Sequence, residues 1–514
     1  MESFNSARRE LLKRGGLGLA AVAATAVPTS YASAQASSPS PNIFDIRTFG
    51  AVGDGKTIDT PAINKAIEAA AAAGGGRVLF PADTWLCFSI HLKSHVDLYL
   101  SQGATILAAD SPLPGQSTGY NGGTYDAAEP NNPWESFQDY GHNHWHNSLL
   151  WGENINDLSI TGPGLIYGKG LSFGAERAAR GAYPIYKAEQ SGVGNKAIAL
   201  KNCRNVIFRD FSILKGGHFG LLLTGVDNLT IDNLKIDTDR DGMDIDCCRN
   251  VRVSNCTVNS PWDDAICPKS SYALGYARAT ENVTISNCYV TGAYELGTLL
   301  DGTFKLFAPD AHVPRTGRIK CGTESNGGFK NITMRNIRTA PLFFRLGSRL
   351  RGPKDTTKVG TLRRILVNNI VSHNAESRLC SIISGIPNFA IEDVKLSNIY
   401  QQHKGGSSAD SLSIRPPENE DKYPDPGMFG PMPSQGFFLR HIKNLELSHV
   451  EIASIAPDPR PSFFLEDVNR ADFIAVTAPT NQPAFNLNKV TDLRILLSRA
   501  APDTHLDTAD GKTL

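Results

Sequence analysis

Between positions 237 and 269 the chain gathers carboxylates at a spacing suited to acid–base chemistry. One cluster reads Asp239-Arg240-Asp241-Gly242-Met243-Asp244, the other Trp262-Asp263-Asp264. Between them lies Asn250-Val251-Arg252-Val253, one copy of a unit of the form Asn-apolar-x-apolar. The same unit begins at Asn205, Asn228, Asn282 and Asn331. Short alternating segments recurring along a chain predict a β-solenoid, in which each unit stacks on the next.

The repeat allows positions to be stacked. Counting thirteen places on from each Asn reaches His218, Asp241, Asp263, Glu295 and Phe344, the last beside Arg345. If each unit is one coil, these residues form a column, with neighbours about 4.7–4.9 Å apart as in parallel strands. Asp241 and Asp263 then lie one coil apart, with Asp264 alongside. Carboxylates so close repel one another, which a surface selected only for stability avoids, so the column predicts a site. The alternative is a solvated acidic turn whose Asp side chains cap backbone groups.

These residues resemble glycoside hydrolase family 28, the polygalacturonases and rhamnogalacturonan hydrolases. Asp241-Gly242-Met243-Asp244 keeps the Asp-Gly-x-Asp part of that family's Asn-Thr-Asp-Gly-x-Asp motif, while the preceding Asn-Thr is changed to Asp239-Arg240. Asp263-Asp264-Ala265-Ile266-Cys267-Pro268-Lys269-Ser270 is similar to the family's second motif. The resemblance extends over nearly the whole chain after residue 40. It implies a right-handed parallel β-helix that hydrolyses pectic polysaccharide or its oligomers; no cofactor is expected, because no convincing ligand set stands in the sequence. It further implies inversion, with carboxyls about 6.5–9.5 Å apart to admit a water. Carried over by motif, Asp263 is the general acid, and Asp241 and Asp264 activate the water. Crowding by two like charges is expected to hold one carboxyl protonated. Two rivals stay open. One is a β-eliminating pectate lyase, which needs calcium and a basic proton abstractor. The other is a non-catalytic glycan-binding solenoid.

Further candidates to bind substrate surround this core. Arg318-Ile319-Lys320 matches by letters the family's Arg-Ile-Lys motif. Its neighbours instead resemble a segment of exo-acting relatives that normally begins Gly-His-Gly, which places Arg318 at the family's His and makes Arg345 the better match to the later Arg. Arg318, Lys320 and Arg345 are the candidates to pair with a uronate carboxylate. His218 and Glu295 join them as members of the column. Residues 111–148 interrupt the repeat with Trp134, Phe137, Tyr140 and Trp145 and the run His142-Asn143-His144-Trp145-His146. Aromatic faces stack on sugars, so this segment, Trp145 included, is expected to wall the site. Three alternating His can also share a metal, but no carboxylate stands at matching spacing, so no metal site is assigned.

The elements that must position these residues are short strands. Thr60-Pro61 starts a helix through Ala73, ended by Gly74-Gly75-Gly76, which is expected to cap the open end of the first coil. An insertion at 297–314 follows the Glu295 coil. A Pro-rich excursion at 415–433 either folds over the cleft or packs on the solenoid. The β-helix is assigned to 42–500, and 501–514 is expected to be a frayed polar tail.

Composition narrows the class. Arg8-Arg9, the apolar run 17–27 and Ala32-Ser33-Ala34 predict that residues 1–34 are a twin-arginine export signal, so that the mature protein is periplasmic or secreted. The apolar run is too short to span a membrane, and none is expected in the mature form. Basic and acidic residues balance at 51 each, with no basic stripe for nucleic acid. The nine cysteines are read as small core residues. The oligomeric state is left open.

Overall fold

A computed structural model describes residues 42–514, apart from 139, 174–185, 309, 323, 339–340 and 376–379. The predicted export signal at 1–34 and Thr323 of the Arg318 segment lie outside the described residues. The chain winds as a parallel β-helix, and successive coils add one strand to each face. One face runs Asn156–Thr161, Arg204–Arg209, Asp227–Asp232, Arg249–Ser254, Thr280–Ser286. A second runs Leu165–Tyr167, Ser212–Leu214, Lys235–Asp237, Thr257–Asn259, Tyr289–Thr291. The third face carries the site. Its strands are Ile90–His91, Ser148–Glu153, Lys196–Lys201, Phe219–Thr224, Asp241–Asp246 and Ile266–Lys269.

The Asn repeat has a conformational cause. Asn205, Asn228, Asn250, Asn282 and Asn331 all adopt left-handed backbone, with φ of 55–57°. Asn tolerates that region better than other side-chain-bearing residues, because its amide bonds locally. Here the amides also stack. Asn228 donates to Asn205 at 2.9 Å, Asn282 to Asn250 at 3.0 Å and Asn331 to Asn282 at 2.7 Å. Alternation then turns the apolar residues inward, so that Val206, Leu229, Val251, Val283 and Ile332 stack in register as a fully buried column. Each such side chain stabilises the coil by about 1.5–3 kcal/mol.

Both ends are covered. The helix Thr60–Ala72 buries Ile63, Ala66, Ile67 and Ala70 against Ile43–Asp45, Gly76–Phe80 and Ile90–His91, as its periodicity predicts. The C-terminal segment departs from expectation. Instead of fraying, Thr504–Ala509 and Lys512–Thr513 pair antiparallel with Phe485–Leu496 and cover the edge of the last coil. Ordered strands therefore continue past 500, as an antiparallel cap on the parallel coils. All nine cysteines are buried free thiols, in line with a core role. No described helix is long and apolar enough to cross a membrane.

Candidate active site

Asp241, Asp263 and Asp264 converge, each offering one carboxylate oxygen within 4.8 Å of the others. The turn between coils explains how. Asp237 pairs with Asn259 and Met243 with Ile266. Five residues therefore link the strands in one coil and six in the next. The extra residue shifts the column by one. Asp264, not Asp263, lies opposite Asp241, and the Gly242 amide donates to its carbonyl at 2.9 Å. Gly242 is required here, because a Cβ would stand 2.5 Å from the Ala265 carbonyl oxygen of the neighbouring coil. Displaced from the strand, Asp263 turns toward Arg240, whose Nε and Nη2 donate to its Oδ2 at 3.3 and 3.2 Å. Arg240 Nη1 is anchored on the Phe173 carbonyl at 2.9 Å.

Cations make the crowding tolerable. Lys269 Nζ lies 2.5 Å from Asp244 and 3.2 Å from Asp241, and 2.7 Å from His142 Nε2. Lys320 Nζ is 2.7 Å from Asp264 Oδ2, and Arg318 Nη2 is 3.0 Å from its Oδ1. The three carboxylates consequently differ. Burial and the charge of Asp263 push the Asp241 carboxyl well above the usual range, against the pull of Lys269. Burial acts the same way on Asp263, but Arg240, then Lys320 and Arg318, outweigh it and hold that carboxyl well below the usual range. Burial first, and the charge of Asp263 after it, thus raise one carboxyl, but that one is Asp241, whereas motif matching assigned the proton to Asp263. Four cations, Lys269, Lys320, Arg318 and Arg240, compensate the gathered charge.

The outer candidates divide. Arg318 and Lys320 belong to the site. Arg345 does not touch the carboxylates. It is buried, and its guanidinium is spent on the Ser384 hydroxyl and the Gly385 and Glu418 carbonyls. With Arg440, which donates to the Pro416 and Pro417 carbonyls, it clamps the Pro-rich excursion to the coils. That excursion folds over the site. Asp425 pairs with Arg318 at 2.8 Å, and the Tyr423 ring lies 4.9 Å from Lys320 Nζ and 5.1 Å from the Arg349 guanidinium. Next to Tyr423 in the chain, Lys422 and Pro424 line a small surface recess with Glu324, Arg345, Arg349 and Lys358.

Glu295 is not in the column. The chain leaves the coil at Gly292 and returns at Gly317, and these glycines meet so closely that a Cβ on Gly317 would lie 2.1 Å from the Gly292 nitrogen. Everything between is looped out, so Glu295 pairs with Lys305 at 2.8 Å and the site sheet resumes with Ile319 beside Ile266. His218 precedes the residue that pairs with Asp241, which is Phe219. It is buried, stacked on Phe219 at 4.1 Å, behind His142 rather than on the carboxylates.

Trp145 is 1% exposed and offers no face to a sugar. It packs with Ala199, Phe219, Leu222 and Ala273 on the outside of the site sheet, its Nε1 bonded to Thr224. The other aromatics of that loop pack too: Trp134 bonds the Ala273 carbonyl and Phe137 meets Tyr272 edge-on. His142 meets the Lys269–Asp244 pair, while His144 and His146 share Glu129 and reach Glu135 and Glu153 respectively. Carboxylates do reach these His, from distant positions. The Glu129–His146–Glu153 set is already drawn into an ion pair of Glu153 with Lys201 at 3.0 Å. Arg240, Asp425 and Tyr423 were missed as site residues. Arg240 was visible only as a departure from the motif, and Asp425 and Tyr423 carry no local signal. Lys269 and Asp244 stood inside the quoted motifs.

Comparison with known proteins agrees with this architecture. Residues 196–406 match the family model "Right handed beta helix region", and residues 43–134 match "Rhamnogalacturonase A/epimerase, pectate lyase-like". A "Probable polygalacturonase" of Vitis vinifera is 24% identical over 385 residues, covering 68% of this chain and 72% of that protein. An "Exopolygalacturonase" of Arabidopsis thaliana is 26% identical over 260 residues, covering 49% and 50%. A further relative, an "Exo-poly-alpha-D-galacturonosidase" of Dickeya chrysanthemi, is matched over only 12% of its length. Among solved structures, the family 28 exopolygalacturonase of Yersinia enterocolitica aligns over 92% of this chain and 79% of that one, with a TM-score of 0.50 at 15% identity, a likeness of fold. The chain is a right-handed β-helix protein, similar over 68% of its length to a polygalacturonase.

Proposed function

We propose that the protein hydrolyses glycosidic bonds in pectic polysaccharide or its oligomers, acting from a chain end. The observation that carries this reading is the set of three carboxylates with oxygens within 4.8 Å of one another, backed by Arg318 and Lys320. Hydrolysis needs a proton for the leaving oxygen and a base for the water. A mixture of raised and lowered carboxyls at one point supplies both. Cations at the site suit a uronate-bearing substrate.

The reaction is read as inverting, as the family resemblance implies, and proton NMR of the anomer first released tests this.

Action from a chain end is supported by the loops around the carboxylates. The excursion at 415–433 contributes Tyr423 and Asp425, and the insertion returning at Gly317 sets Phe307 edge-on to Trp262 beside Asp263. The loop before Ser148 brings His142 to Lys269. A terminal sugar held on several sides is well positioned for reaction. The test compares viscosity with reducing ends. Exo action releases reducing ends while polymer viscosity barely changes; a steep early fall in viscosity would show internal cutting. The leader supports export to the periplasm or medium, checked by the N-terminal sequence of the protein recovered from each fraction.

A further inference from the structure

The family's Thr before the first catalytic Asp is replaced here by Arg240, and this substitution falls on the most accessible carboxylate of the three. The Asp263 side chain is 15% exposed, against 5% for Asp241 and 1% for Asp264. Arg240 is anchored at both ends, on Phe173 and on Asp263, and is itself largely buried. A guanidinium fixed at 3.2–3.3 Å from a carboxylate strongly disfavours protonating it. Asp241 has no such partner of its own. Its cation, Lys269, sits closer to Asp244, at 2.5 Å against 3.2 Å.

Resting on the hydrolase reading above, we propose that Arg240 is a positioning residue that divides the labour of the triad: it keeps Asp263 as the carboxylate that takes the water's proton, and leaves Asp241 as the proton donor to the leaving oxygen. The step balances. The water's oxygen bonds the anomeric carbon as the glycosidic C–O bond breaks. One water proton passes to Asp263, and the Asp241 proton goes to the departing hydroxyl. This inverts the assignment that motif matching gives. The groups facing Asp263 are Arg240 on the preceding coil, Lys269 on its own coil, Arg318 and Lys320 on the next, the carboxylates Asp241 and Asp264, and Tyr423 from the excursion, with Asp425 behind Arg318. Those facing Asp241 are Lys269, Asp244, Asp263 and Asp264, with His142 behind Lys269.

The experiment is the pH profile of kcat/KM on a galacturonate oligomer for the wild type, Arg240→Thr and Arg240→Lys. In the free enzyme the acidic limb follows the base and the basic limb the acid. Removing Arg240 is expected to move the acidic limb upward by about one pH unit or more, with Arg240→Lys close to wild type. Movement of the basic limb instead would make Asp263 the donor and overturn the proposal, as would no movement of either limb. Should Arg240→Thr not fold, Asp241→Asn and Asp263→Asn decide. On an aryl galacturonide with a good leaving group, Asp241→Asn should regain activity relative to the oligomer and Asp263→Asn should not; the reverse pattern overturns the proposal. A wild type that cleaves neither substrate would sink the hydrolase reading, a result distinct from a wrong limb in an active enzyme.

Discussion

Asp241→Asn is expected to make the protein more stable at neutral pH while removing its activity. Burial and the charge of Asp263 keep the Asp241 carboxyl protonated in the folded protein, whereas the unfolded chain releases that proton. Above the unfolded pKa each pH unit over which folding must retain the proton costs about 1.4 kcal/mol, and a neutral Asn escapes that cost. The pH dependence follows from the direction of the shift. A carboxyl raised in the folded state favours folding below its unfolded pKa, and that contribution is lost as pH rises toward the folded pKa. The variant should thus match the wild type in acid and gain on it as pH rises to neutral. Urea unfolding of both proteins across that range measures the difference. A variant less stable than wild type at neutral pH, or a difference that does not change with pH, would refute the reasoning.

Other expectations follow from the same contacts. Lys320→Met strands the buried Asp264 carboxylate and should cost about 3 kcal/mol, the low end for a broken buried pair because Arg318 remains; the double variant with Asp264→Asn should recover most of it, and urea midpoints report both. Arg345→Ala should free the excursion at 415–433 from its carbonyl anchors, so that protease nicks the chain there while circular dichroism of the β-helix is unchanged. Activity should survive EDTA, because the site carboxylates are neutralised by Lys and Arg; loss restored by calcium, with an unsaturated product, would favour β-elimination.

Much of the architecture could be read in advance where a residue type answers a backbone demand. The Asn ladder was legible because a left-handed turn recurs at each coil. It faded after Asn331 because Arg364 and Asp393 occupy the next such positions, with φ of 57° and 58°, and only the conformation is kept. The column was read one place out because one extra residue in the turn before Asp264 leaves no mark on the repeat. Glu295 was misplaced for a related reason: a pinched pair of glycines, Gly292 and Gly317, removes a whole loop from the count. The Asp425–Arg318 pair joins residues 107 positions apart, a distance at which no spacing rule operates. The closing strand Thr504–Ala509 is largely exposed and so lacks the apolar alternation that would announce it. Trp145 shows the converse limit, since an aromatic suited to a sugar face serves equally to seal the outside of a sheet.

The most direct test of the central claim is digestion of a galacturonate oligomer in heavy-oxygen water, followed by mass spectrometry of the products. Hydrolysis at the Asp241–Asp263–Asp264 cluster predicts a terminal sugar carrying one heavy oxygen at its new reducing end, with no unsaturated product, and none of this from Asp263→Asn. An unsaturated product without the label, or label incorporation undiminished in Asp263→Asn, would contradict the account.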